Sequence, residues 1–439
     1  MAPATNNTSV SPAPAAPSAL RTMLRSLAHR NFRLFFMGQS ISLTGTWMQS
    51  VAMPWLVYKM TGSVVLLGVV GFTGQVLTFV LAPIAGVLAD RWDRRRLILV
   101  AQAVAMAQAA ALALLTLLGH IEVWHVVALS VFTGLVRGFE VPTRQSFVIQ
   151  MLDDPADLPN AIALNSFLVN GARLVGPSLA GLIVAFAGSP DTTRGEGMVF
   201  AINAASYVAV IAGFAVMRVR PRRVTTPMRN LLHGLREGLA YAMRRPAIRG
   251  VLVILSVTSL AGVPYMTLMP VFAKEVLGGG PDTFGYMMGA TGVGALAGAV
   301  FLASRKSVLG LGRMIRTAGV AFGLGLVAFS LTNNLWLALP ALVWAGAAMM
   351  LQMACSNTLL QTLADEDTRG RIMSFYTMAF MGMIPFGALL AGWVAHHLGV
   401  PTTVLIGGIV TAVGSFVLGR GLPGVTAQPA LRNGDEPPP

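Results

Sequence analysis

Arg137, Glu140 and Arg173 stand inside long apolar runs of a chain whose other charges mostly avoid them. A charge at membrane depth is costly, so such residues face a protein interior or a watery cavity. Arg137, Glu140 and Arg144 fall at i, i+3 and i+7 on one helical face. Ser166, Asn170 and Arg173, at i, i+4 and i+7, do the same on the next run. The chemistry on offer is proton exchange. Counting about 1.5 Å per residue from the same end of the two runs, Glu140 lies about 12 Å deep and Arg173 about 18 Å, so they could pair. Burial holds the proton on a carboxylate, whereas a nearby arginine favours its ionisation. A Glu140 that swaps between pairing and protonation would couple protons to a conformational step. A permanent clamp of Arg137, Glu140 and Arg173 is the competing reading.

Such runs need a bilayer to sit in. The chain is 55% hydrophobic and 11% charged, which excludes a soluble globule. Twelve runs, at approximately 34–58, 64–88, 97–118, 124–148, 161–187, 197–217, 248–273, 283–303, 312–332, 335–360, 372–395 and 401–419, approach the roughly 20 residues that cross a membrane as a helix. The fold class expected is an all-α membrane protein. The single cysteine, Cys355, excludes an intramolecular disulfide, and the six histidines are scattered. Neither metal nor cofactor is expected. A membrane-embedded enzyme needs clustered acids, nucleophiles or ligands, and one intramembrane carboxylate fits that poorly. No phosphate-binding loop is present to draw energy from ATP.

Basic residues set the orientation. Arg21, Arg25, Arg30 and Arg33 precede the first run, and Arg91, Arg94, Arg95 and Arg96 follow the second. Nine arginines lie from Arg218 to Arg249, and Arg305, Lys306, Arg313 and Arg316 flank the eighth-to-ninth junction. Of the 31 basic residues, the opposite side receives only Lys59, Arg194 and Lys274. Both termini are therefore expected in the cytoplasm, under a bacterial cytoplasmic membrane. The net charge of +14 then reports topology and calls for no nucleic acid.

The organisation expected is a disordered tail over 1–30, a six-helix half over 31–217, a linker over 218–247, a second half over 248–420 and a disordered tail over 421–439. In the linker, Leu231, Leu232, Leu235, Leu239 and Met243 share one face of an amphipathic helix. That face suits the anionic inner leaflet or the protein's own loops equally. The halves repeat. A shift of 211 residues aligns Gln150 with Gln361, Leu152 with Leu363, Asp154 with Asp365, Gly176 with Gly387 and Gly181 with Gly392. Two parallel six-helix repeats are a transporter architecture with the substrate site between them.

After the second run, Gly86, Asp90, Arg91, Arg94 and Arg95 stand at the spacing of the major facilitator superfamily loop signature, which this stretch resembles. Asp93 replaces its second glycine. The resemblance implies a cytoplasmic gate that latches the halves in the outward-facing state. In the fifth run, Gly176-Pro177-Ser178-Leu179-Ala180-Gly181 resembles the antiporter motif of the same superfamily, with Ala180 in place of a glycine. Small residues there let helices approach closely, as they would in any packing seam. Pro142-Thr143-Arg144-Gln145, Ala163-Leu164-Asn165-Ser166 and Asn170 to Pro177 look like the enterobactin-exporter branch, beside the macrolide-efflux proteins among drug:proton antiporters.

The resemblance implies export of a small amphiphilic or chelating molecule, such as a siderophore, drug or other secondary metabolite, by proton antiport. An uptake symporter is the alternative. The partners expected are a small-molecule substrate, protons and the lipid bilayer, with the chain acting as a monomer. By the same resemblance, the first, fourth, seventh and tenth helices line the cavity. Gln39, Ser42, Thr46 and Gln49 would contribute from the first, Asn170 from the fifth, and Gln352, Ser356 and Asn357 from the tenth. Pro264 and Pro270 invite a bend in the seventh.

Overall fold

The computed structural model describes residues 24–91, 93–187, 192–218, 231–305 and 310–422, and every regular element among these residues is a helix. The first half comprises α1 (Arg30–Thr61), α2 (Val64–Arg91), α3 (Arg94–Leu117), α4 (Val123–Phe147), α5 (Leu158–Ala187) and α6 (Arg194–Val216). A linker helix, α7 (Leu231–Arg244), follows. The second half comprises α8 (Pro246–Val276), α9 (Pro281–Ala303), α10 (Leu311–Ser330), α11 (Leu335–Leu363), α12 (Thr368–Leu398) and α13 (Val400–Gly419). Among the described residues, 11 helices are long and apolar enough to cross a membrane. α1 falls outside that set because Gln39, Ser40, Ser42, Thr44, Thr46, Gln49 and Ser50 dilute its apolar content. With 32 residues packed along α5 and α6, it is the twelfth spanning helix.

Local chemistry sets the boundaries. Asp93 begins α3 by accepting from the backbone N–H groups of Arg95 (2.9 Å) and Arg96 (3.3 Å), a helix cap that a glycine could not make. Gly62, at φ 61°, ends α1 in the left-handed conformation that favours glycine. The bends expected from Pro264 and Pro270 take the form of π-turns at Thr258–Gly262 and Phe272–Val276 within α8. α12 carries a matching π-turn at Met378–Gly382.

Two seams join the halves, and they are related by the internal repeat. In the first, α5 packs on α9: a Cβ on Gly181 would stand 2.6 Å from the Pro281 carbonyl oxygen and 3.0 Å from Gly285 Cα. In the second, α12 packs on α2: a Cβ on Gly392 would stand 2.9 Å from the Val64 carbonyl oxygen. Gly176 and its repeat mate Gly387 play a matching part within each half, against α1 (Thr44 and Trp47) and α8 (Leu260 and Pro264). The antiporter-like motif is thus the contact surface of α5 toward both halves.

The repeat extends to the arginine-rich end of the bundle. There the loop between α4 and α5 binds the chain that leads into α1. Arg25 pairs with Asp157 at 2.8 Å, and His29 meets Asp157 at 2.8 Å and Asp153 at 3.1 Å. In the second half, Asp365 holds Arg245 at 2.8 Å and Tyr241 at 2.8 Å, and Arg371 holds Glu237 at 2.8 Å. Order therefore begins before residue 30: Arg25–Ala28 form a short helical turn in which Ser26 is fully buried. α7 uses its polar side to dock on the α11–α12 loop, leaving Leu239 and Met243 exposed. The linker helix thus packs on the protein's own loop, through polar side chains and not through the apolar face.

Candidate functional site: a cleft between the halves

At the end remote from the arginines the halves are closed against each other. The Tyr58 hydroxyl at the end of α1 donates to the Glu275 carboxylate at the end of α8. The Lys274 ammonium lies 5.4 Å from the Tyr58 ring centroid, and Trp55 stacks on Phe284 of α9 with centroids 6.3 Å apart. Behind this clasp, Lys59 reaches Glu196 at 3.2 Å and the Thr192 carbonyl at 2.7 Å, and the Glu196 side chain is wholly buried. The runs read from the sequence hold Trp55, Tyr58 and Phe284 and leave Lys59, Glu196, Lys274 and Glu275 in the loops between them. The signal was available, since Lys59 and Lys274 are two of the three basic residues on that side.

Toward the arginine-rich end the α5–α9 contacts run out. Contacts between α5 and α9 run from Gly181 and Pro281 down to Arg173 and Gly292. Beyond that level a Cβ on Gly171 would meet nothing within 4 Å, and Ser166 is exposed. Asn170 and Ser166 hydrogen-bond only within their own helix, to the Ser166 and Ile162 carbonyls. On α11, Gln361 is exposed and donates to Asn357, one turn back, at 2.6 Å. The α2–α12 seam runs from Gly392 and Val64 through Phe72 and Phe386 (5.6 Å between centroids) to Phe79 and Gly382.

Arg173 sits where the α5–α9 seam begins. Its guanidinium carbon lies 5.0 Å from the Trp47 ring centroid of α1, and its Nε is buried without a hydrogen-bond partner. Glu140 does not pair with Arg173. It binds Arg144 at 2.6 Å and accepts from Gln102 at 3.4 Å, with the Glu140 and Arg144 side chains each 12% exposed. The reason is local: residues at i and i+4 on one helix meet without crossing an interface. The expected clamp of Arg137, Glu140 and Arg173 is not formed, and Arg137 makes no hydrogen bond or ion pair among the described residues.

The polar residues assigned to the cavity divide between cleft and helix contacts. Gln49 accepts from Asn203 of α6 at 2.7 Å and donates to Gln108 of α3 at 3.4 Å, so it is spent inside the first half. Ser42 lies on the α6-facing stripe with Gly38 and Gly45, and Thr46 meets Tyr207 of α6 at 3.4 Å. Gln352 is likewise spent inside the second half, between Thr258 of α8 and Ser415 of α13, both at 3.3 Å. Helix-wheel spacing shows that residues share a face but not which neighbour that face meets. Among the described residues Gln39 Oε1 and Ser356 Oγ are buried without partners, Asn170 bonds the Ser166 carbonyl on its own helix, and Asn357 accepts from Gln361 on its own helix.

Of the gate signature, the side chains of Gly86, Asp90 and Arg91 lie outside the described residues, and with them the expected latch. Arg95 donates from Nε and Nη2 to the Phe214 (2.8 Å) and Ala215 (2.5 Å) carbonyls, closing the end of α6. No group of His, Cys, Asp and Glu that could hold a metal occurs among the described residues.

Twelve spanning helices in two repeat-related halves, with a cleft between them, define a transporter of the major facilitator fold. The inward-open xylose transporter XylE from E. coli superposes with a TM-score of 0.67 at 13% identity, covering 92% of this chain and 98% of that one. The nucleoside transporter NupG superposes at 0.66 with 14% identity, covering 89% and 97%. These likenesses concern the fold. By sequence, residues 21–431 match the family described as "Transmembrane secretion effector", and the chain belongs to that family of efflux-type major facilitator transporters. It is 24% identical over 380 residues to a staphyloferrin A transporter of Staphylococcus aureus, covering 86% of this chain and 93% of that protein. It is 25% identical over 366 residues to the multidrug efflux pump Tap of Mycolicibacterium fortuitum, covering 81% and 87%.

Proposed function

We propose that this transporter exports a small amphiphilic or chelating molecule across the bacterial cytoplasmic membrane by proton antiport, as a monomer with both termini cytoplasmic. In this reading the domains run 31–217 and 248–420, joined by the linker 218–247. The carrying observation is the cleft, clasped at one end by Tyr58 and Glu275 and parted at the arginine-rich end beyond Arg173. Arginine excess marks the cytoplasmic side, so the cleft is one of the two states of an alternating-access cycle, open inward. Glu140 is the coupling carboxylate, with Arg144 in place of Arg173 as its counter-charge. Protonation releases Arg144 and leaves a neutral group beside Gln102, a change of charge beneath the cleft. The similarity to a siderophore transporter and to a multidrug efflux pump supports the substrate range and the direction.

The test compares metabolites retained by a deletion strain and its parent, followed by transport of the retained compound in inside-out membrane vesicles. Accumulation that an uncoupler collapses supports export by antiport. Uptake into right-side-out vesicles driven by an inward proton gradient would replace it with symport.

A further inference from the structure

Buried polar groups in folded proteins almost always find a hydrogen-bond partner. Two that do not are brought together where the cleft ends. Arg173 Nε has none, and neither has the hydroxyl of Tyr265, a residue of α8 that is 3% exposed. The two side chains are within electrostatic reach of each other. Both meet α9 at neighbouring residues: the Arg173 carbonyl packs toward Gly292, and the Tyr265 hydroxyl leans toward Thr291 without a completed hydrogen bond. The Thr291 hydroxyl is committed to the Met287 carbonyl at 3.1 Å. One cationic donor and one neutral donor, from opposite halves, therefore lie within electrostatic reach of each other with no completed hydrogen bond among the described residues.

The surroundings select the ligand. Glu140, the carboxylate inside α4, is already engaged by Arg144 and cannot neutralise Arg173. Trp47 covers one face of the guanidinium, which leaves its donor edge for a ligand and offers an indole beside it. A guanidinium edge matches a planar carboxylate with two parallel hydrogen bonds. A single fixed cation balances a single negative charge, whereas a dianionic phosphate would bring an uncompensated charge into a poorly solvated site.

Resting on the reading of the cleft as a substrate path, we infer that Arg173, Tyr265 and Trp47 form an anion subsite for a carboxylate carried beside a flat apolar or aromatic group. Since α5 and α8 belong to different halves, a ligand held by both Arg173 and Tyr265 also draws the halves together at this level.

The experiment measures binding to the purified full-length protein in detergent, independently of transport. The probes are benzoate and 2-naphthoate, each against its uncharged primary amide. The acids bind at least tenfold more tightly than the amides, and naphthoate more tightly than benzoate. Arg173→Gln removes the preference for acid, Arg173→Lys keeps part of it, and Tyr265→Phe weakens acid binding severalfold without affecting the amides. Arg173→Gln gives up the Trp47 contact but no hydrogen bond from Nε, so the ligand-free variant melts close to wild type, whereas a merely structural arginine would lower the melting temperature sharply. Equal binding of acid and amide, a preference that survives Arg173→Gln, or no acid binding at millimolar concentration each overturns the inference. Acid selectivity without proton-driven transport leaves the subsite standing and removes the antiport reading instead.

Discussion

Replacing Tyr58 by Phe deletes one hydroxyl and leaves the ring against Lys274, so it isolates the bond that clasps the far end. That bond runs from a 3%-exposed phenol to the carboxylate of Glu275, which is itself exposed. Hydrogen bonds to charged groups contribute about 1.5–3 kcal/mol when shielded. Solvent around Glu275 lowers this, and about 1 kcal/mol is the reasonable figure. The bond exists only while the far end is closed, so its loss acts wholly on the balance between states and shifts their ratio about fivefold toward the outward-open form. The assay is a spin-label distance between His120→Cys and Asn333→Cys, exposed positions on far-end loops of opposite halves, in a Cys355→Ala background. Tyr58→Phe and Glu275→Gln should each enrich the longer distance, and the double variant should add little to either. An unchanged distance distribution in both single variants would refute the clasp.

Gly181→Ala places a Cβ 2.6 Å from the Pro281 carbonyl, and overpacking against backbone costs about 1–3 kcal/mol, so it should open the far end in the same distance measurement. Gly392→Ala, whose Cβ would stand 2.9 Å from the Val64 carbonyl, should do so more weakly. Asp93→Ala removes the α3 cap and should cost about 1 kcal/mol in thermal or denaturant melts, whereas Asp93→Gly should cost only about a few tenths. His29 has its pKa raised above 6.5: burial opposes protonation, but Asp157 and Asp153 outweigh it. A raised folded-state pKa stabilises fully below the unfolded value and fades as pH rises through the folded one. The melting-temperature gap between wild type and His29→Ala should therefore be widest below pH 6.5 and narrow above it.

Repeat-related glycines were the most legible feature of the chain. A constant shift of 211 residues links Gly176 to Gly387 and Gly181 to Gly392, and each pair occupies matching contacts in the fold. Backbone approach depends on the absence of a side chain, which a sequence displays directly. The partners of long polar side chains were less legible. Glu140 and Arg173 lie on successive helices that pack on different partners, α4 on α2 and α3, and α5 on α1 and α9, so depth alone brings no pairing, and Arg144 was one turn away. Gln49 and Gln352 read as cavity residues because they are polar within apolar helices. Burial of a polar group demands only a partner, and Asn203, Gln108, Thr258 and Ser415 supply it. The clasp was hidden because Tyr58 and Glu275 are 217 positions apart and carry no motif.

The central claim, that a proton moving inward drives a substrate outward through Glu140, is tested most directly in liposomes holding the purified protein with its arginine-rich end outward. An acidic lumen is imposed, the substrate retained by the deletion strain is added outside, and its accumulation is followed together with luminal pH. Wild type should accumulate substrate while the lumen turns alkaline, and an uncoupler should abolish both. Glu140→Gln should exchange labelled for unlabelled substrate without accumulating it. Undiminished accumulation by Glu140→Gln, or accumulation that follows an alkaline lumen instead, would contradict the account.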